Sequence, residues 1–176
     1  DEVQSIPTSD LVELAAHLLS ESAAASNDGG RIGDISPHWL IKSLVDMGRP
    51  DLAVAITEVS HEGLKSNASA FSLAYALHLG NRLVDAAAIY RNGLVDDDFW
   101  GHTACRNLAI CYQGLKAMPE LTKLAERVKE KTGAPDAGDE WKNLHREIAG
   151  WLAQLTTPPT TTTTATRTQN RTLMTT

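Results

Sequence analysis

Apolar residues recur at helical spacing along most of the chain. Leu11, Leu14, Ala15, Leu18 and Leu19 repeat at the three-and-four spacing of one helix face. Asp10, with Glu13 three residues on, can cap that helix. The stretch from Ala23 to Gly33, with Asn27-Asp28-Gly29-Gly30, predicts a flexible loop. A second helix starts at Ser36, a good N-cap, with Pro37 in its first turn. Trp39, Leu40, Leu44 and Val45 form its predicted apolar stripe, and Gly48 ends it. Pro50 opens the next helix, with a stripe of Leu52, Ala53, Ile56 and Val59 and a stop at Gly63. Two helices joined by so short a turn predict an antiparallel hairpin.

The same pattern returns twice. Helices are predicted over about 68–79 and 83–92, then over about 99–113 and 119–131. The glycines inside the three hairpins, Gly48, Gly80 and Gly114, lie 32 and 34 residues apart. That period, one helical pair each time, predicts a helical repeat array. Each glycine is expected to take the left-handed conformation that lets the second helix turn back. A last helix over about 139–155 turns Trp141, Leu144, Ile148, Trp151, Leu152 and Leu155 to one side. It is expected to cap the apolar end of the array.

Composition changes the picture at one place. The 21 residues from Thr156 to Thr176 contain 12 threonines and follow or include Pro158-Pro159. Such a stretch supplies no packed core and is expected to be disordered. The expected organisation is therefore a leading helix and loop over 1–35, three hairpins over 36–134, a capping helix over 135–157 and a Thr-rich tail over 158–176. The fold class expected is all-α, a right-handed superhelix of stacked antiparallel αα-hairpins.

Charge narrows the partners. The chain carries −6, and the tail adds Arg167 and Arg171 without an acid, so the rest carries −8. An acidic body opposes binding driven by phosphate neutralisation. The one dense basic stretch, Lys116, Lys123, Arg127, Lys129 and Lys131, is interleaved with Glu120, Glu126 and Glu130 and reads as a solvated helix face. No apolar run is long enough for a membrane span. No signal-peptide pattern precedes the body, so the expected location is intracellular: cytoplasm, or an organelle matrix after removal of a targeting segment.

The residues around the glycines resemble the tetratricopeptide and pentatricopeptide repeat families. Leu44-Val45-Asp46-Met47-Gly48-Arg49-Pro50 with the packing Ala53 looks like the pentatricopeptide pattern. Leu73, Ala74, Gly80, Ala86, Tyr90 and Gly93, then Leu108, Ala109 and Tyr112, look more like the tetratricopeptide one. The likeness spans roughly 36–134. It implies a groove lined by the first helix of each hairpin, here His38, Lys42, Phe71, Tyr75, His78, Thr103, Arg106 and Asn107. Lys42, Arg106 and Asn107 would be the remnants of a carboxylate clamp. The pentatricopeptide likeness implies instead a reader of single-stranded RNA. Aligned on the glycines, its base-facing positions would be Trp39, Phe71 and Cys105, with Ser66 and Trp100 at the junctions, and these lack the polar pair a base code needs. Phe71 and Trp100 could stack on bases.

Catalytic chemistry finds little support. The six histidines show no metal-ligand spacing. Cys105 and Cys111 lie six apart, about 120° around a helix, and do not converge. Asp96-Asp97-Asp98 lacks the alternating oxygen ligands of a calcium loop. One of these carboxylates, Asp98 or a neighbour, is expected to cap the helix near Phe99. The expectation is a non-enzymatic protein-interaction module without a cofactor, an adaptor or subunit of a larger assembly. The rival is RNA binding in an organelle.

Overall fold

The computed structural model describes residues 9, 12, 13, 15–17, 37–133 and 138–156. Every regular element among them is helical: α1 Pro37–Asp46, α2 Pro50–Leu64, α3 Asn67–Leu79, α4 Leu83–Arg91, a 3-10 turn Leu94–Asp96, α5 Gly101–Gly114, α6 Met118–Thr132 and α7 Asp139–Thr156. The expected caps at Asp10 and Ser36, the loop before α1, Pro158-Pro159 and the Thr-rich tail lie outside the described residues. Ahead of α1, Val12 and Ala15 pack against the core and Ala16 is buried in it.

Each helix packs on the next in sequence, and α1, α3, α5 and α7 also pack on one another in order. The odd-numbered helices thus form one continuous layer, and α2, α4 and α6 lie against it. An amphipathic helix cannot bury its stripe alone, so each pair depends on its neighbours. Small residues let the helices come close. Ala53, Ala74, Ala76, Ala86, Ala104 and Ala109 are wholly buried. At the far end α7 buries Leu144 and Ile148 against α5 and α6, with Trp141, Trp151, Leu152 and Leu155 half-buried around them.

The three chain reversals share one hydrogen-bond pattern. The amides of Arg49, Arg82 and Ala117 donate to the carbonyls of Leu44, Leu77 and Tyr112, five residues back, at 2.8, 2.8 and 2.9 Å. The preceding residues, Gly48, Asn81 and Lys116, donate to Val45, His78 and Gln113 at 2.9, 3.0 and 3.0 Å. These are the paired bonds of a Schellman motif, whose penultimate residue must be left-handed. It is: φ is +75° at Gly48, +62° at Asn81 and +55° at Lys116. The carbonyls of Arg49, Arg82 and Ala117 then accept the first bond of the next helix, from Ala53, Ala86 and Leu121, all fully buried.

This corrects the expected role of two glycines. Gly80 has φ −76° and Gly114 is still helical; the left-handed residue follows each of them. A Cβ on Gly114 would stand 2.7 Å from Leu83 Cδ1, so this glycine admits the first turn of the preceding hairpin's second helix without displacing that side chain, while one on Gly80 would meet the Pro50 side chain at an ordinary 3.5 Å. Other boundaries differ too. α2 runs through Gly63 to Leu64, and Lys65 takes the left-handed turn at φ +46°. Trp39 and Val59, expected on buried stripes, are exposed.

Two stability outcomes follow. Lys116→Gly removes a left-handed strain of about 1–2 kcal/mol and adds about 0.4–1 kcal/mol of unfolded-chain entropy, so a net gain near 0.5–1 kcal/mol is expected in urea unfolding. An unchanged or lower midpoint would remove the motif from Lys116. Ala53→Leu and Ala86→Leu should each cost roughly 1–3 kcal/mol by overpacking a close helix contact. Calorimetry showing both variants as stable as the parent would contradict the contact.

Candidate functional site

The repeat resemblance points to the first helix of each hairpin, and aromatic side chains gather between α1, α3 and the loop into α5. The His38 ring of α1 meets the Phe71 and Tyr75 rings of α3 edge-on, with centroids 5.3 Å away in each case. It lies 5.9 Å from Trp100, which stacks on Phe71 at 4.5 Å. Phe99 stands edge-on to Trp100 at 4.8 Å, and Tyr75 edge-on to His78 at 6.5 Å. Offset and edge-to-face geometries are the favourable ones for aromatic pairs. His38, Phe71, Tyr75 and His78 are thus brought together, as one cluster joining α1, α3 and the start of α5. Phe71 itself is only 2% exposed and faces the core.

The three clamp residues do not join them. Lys42 is exposed, and its Nζ donates to Asp46 on the same helix at 2.6 Å. Arg106 forms a two-point ion pair with Glu147 of α7, at 3.1 and 3.0 Å, which holds the Glu147 carboxyl below its usual range. Asn107 is buried, and its side-chain amide donates to the Tyr90 hydroxyl at 3.2 Å. That phenol is pushed well up by burial. Each clamp donor is therefore engaged inside the chain. Arg106 and Asn107 tie α5 to its neighbours on either side.

The register explains part of this. Counted back from the left-handed residue, His38, Phe71 and Arg106 occupy one position. The glycine alignment had instead matched Trp39, Phe71 and Cys105. Trp39 is 63% exposed while Phe71 and Cys105 are buried, so these three are not equivalent sites. Burial pushes the Cys105 thiol up to about 11 and the Cys111 thiol up to about 12. Both behave as small core hydrophobes rather than nucleophiles.

The loop into α5 is tightly organised. Asp97, rather than Asp98, caps the chain there. Its carboxylate accepts from the amides of Phe99 and Trp100 at 2.9 and 2.8 Å, and from the Asn67 side chain at 2.6 Å. The Trp100 amide and the Asn67 amide hold that carboxyl below its usual range. The helix itself begins at Gly101, two residues later than expected. Asp96 pairs with Arg127 of α6. The outward presentation of Phe99, 80% exposed, was missed by reading it as a helix start. Trp39 carried a usable signal: it sits three and seven residues before Lys42 and Asp46, on the polar side of α1.

His38 Nε2 and His78 Nδ1 are buried without a hydrogen-bond partner, and burial lowers both pKa values from 6.5. The folded chain thus favours neutral rings. Stability is present above pH 6.5 and is lost as pH falls through that value, until the folded rings also protonate. Asp96, Asp97 and Glu147, whose values are lowered, act only at more acid pH. The melting temperature should fall between pH 7.5 and pH 5, and less steeply in His38→Phe. An equal slope in parent and variant would count against His38 as a source.

Among the described residues no group of three or more His, Cys, Asp or Glu could hold a metal ion, and no helix is long and apolar enough to cross a membrane. No family model, no curated protein and no solved structure matches the chain.

Proposed function

We propose that the chain is a non-catalytic protein-interaction module of the tetratricopeptide or pentatricopeptide kind, an adaptor or structural subunit. Its hairpins form a right-handed superhelical array, and the layer of α1, α3, α5 and α7 offers its open side to a partner protein. One observation carries the reading: the same Schellman reversal occurs three times, at Gly48, Asn81 and Lys116. Each is followed at the same distance by a fully buried residue, Ala53, Ala86 and Leu121. Repetition at that level is what a repeat array requires, and repeat arrays present extended surfaces. The aromatic cluster on the open side supports contact with a protein, since aromatic residues dominate interface energetics. Acidic charge speaks against a phosphate backbone as the partner. The reading rests on architecture, and architecture by itself does not specify function.

The test uses the full chain purified from its native cells under mild conditions. A stoichiometric protein partner is expected. Tyr75→Ala with His78→Ala, in the aromatic cluster, should release it, while Glu126→Arg, exposed on α6, should not. Absence of any stoichiometric partner, or equal retention by both variants, would overturn the proposal.

A further inference from the structure

The two histidines of the aromatic cluster stand at opposite ends of their helices. His38 is the second residue of α1, and His78 lies in the last turn of α3. The start of a helix is its positive end and repels a cation, whereas the last turn favours one. An imidazolium carries a proton on both ring nitrogens. His38 Nε2 is buried and has no acceptor among the described residues. The Phe71, Tyr75 and Trp100 rings pack against it at 5.3, 5.3 and 5.9 Å. They offer a cation their ring faces, yet none makes a hydrogen bond to Nε2, so the cost of burying an orphaned N–H stays.

The surrounding charges do not offset this. On α1, Lys42 follows one turn after His38, and Asp46 is taken up by Lys42. On α2, Asp51 pairs with Arg49, Glu58 with Arg82, and His61 with the Ser69 hydroxyl, while Glu62 is exposed. On α3 the titratable neighbours are Tyr75 itself and His78 beyond it. Ahead of α5, Asp96 pairs with Arg127, Asp97 holds Phe99, Trp100 and Asn67, and Asp98 is exposed. On α5, His102 bonds the Glu140 carbonyl. Glu13 and His17, ahead of α1, are exposed. None of these groups is bonded to His38, and burial lowers its pKa with no opposing charge.

The fold decides what gives way. α1 is the first helix of the first hairpin and packs on α2 and α3. α3 is held by α2, α4 and α5 as well. In a repeat array a unit held on fewer sides opens first, and the rest keeps its own contacts.

We propose that His38 is an acid-sensitive latch: protonation of its ring releases α1 from α3 and uncovers Phe71 and Tyr75, while the later hairpins stay folded.

The experiment follows amide hydrogen exchange in the full chain at pH 7.5 and pH 5.5, corrected for the intrinsic pH dependence of exchange. Opening linked to one proton at an ordinary pKa of 6.5 grows about tenfold between these values. The amides of Ile41, Leu44 and Val45 should therefore lose about tenfold in protection, and those of α5 and α6 should not. His38→Phe and His38→Leu should each remove the effect, and His78→Phe should leave it in place. In the parent chain, which needs no substitution, the His38 ring followed by carbon NMR should titrate below 6.5. Protection of α1 that does not change with pH would overturn the proposal, as would a loss spread evenly over α1, α5 and α6. Persistence of the effect in whichever His38 variant folds, its removal by His78→Phe instead, or a His38 ring titrating at or above 6.5 would do the same.

Discussion

The reversal between paired helices is the constraint on which the rest depends. Closing it needs a left-handed residue, and it then sets the register of the following helix to the residue. Once Arg49, Arg82 and Ala117 have donated backwards, their carbonyls accept from Ala53, Ala86 and Leu121 and drive those positions inward. The stripe of each second helix is thereby aimed at its own partner. Gly114 then lets the third hairpin settle against the second at Leu83. A local hydrogen-bond motif and a long-range close approach act at the same corner. That is how a chain of modest helices becomes one continuous core.

Helix class and approximate limits were legible because apolar periodicity, proline starts and glycine stops are local signals. α3 was expected from about 68 and begins at Asn67; α6 was expected from 119 and begins at Met118. The role of the glycines was not legible. A left-handed lysine carries no mark in sequence, and a glycine packed against a side chain about 30 residues away looks like any helix stop. The error had a consequence. Taking Gly80 and Gly114 as the turn residues shifted the register by one and then two positions. Trp39 and Cys105 were thereby lined up with Phe71, although one is exposed and the other buried. Side-chain contacts were legible only in part. The repeat resemblance grouped His38, Phe71 and Tyr75, whose rings meet, while the pairing of Arg106 with Glu147 depends on where α7 comes to rest.

Three polar residues of the expected groove have partners within the chain, Tyr90 for Asn107, Glu147 for Arg106 and Asp46 for Lys42, whereas His38 Nε2 and His78 Nδ1 are buried without one. The exposed pairs contribute little stability, since surface ion pairs are worth about 0–1 kcal/mol. A donor already held by a carboxylate must lose that bond before it can hold another, so a carboxylate ligand would gain little at Lys42 or Arg106. Arg146 of α7 instead donates to the Asn143 side chain, at 3.2 Å.

Rigidity decides how much an exposed ring could contribute to any contact. Exposed aromatic residues on a loose loop would lose in ordering what they gain in contact. Here Asp97 ties the α5 loop to α3 through Asn67, and Trp100 ties it to Phe71 in the core. Phe71 also meets Tyr90 of α4 at 5.6 Å, and Tyr90 accepts from Asn107 of α5. The exposed Phe99 ring is therefore connected to the interior through a short series of packed and hydrogen-bonded groups. The residues that form the core are the same ones that hold it still. A substitution at Phe71 would thus disturb the core, whereas one at Phe99 would leave it in place. That separation follows from the difference between 2% and 80% exposure in two rings that share one neighbour, Trp100.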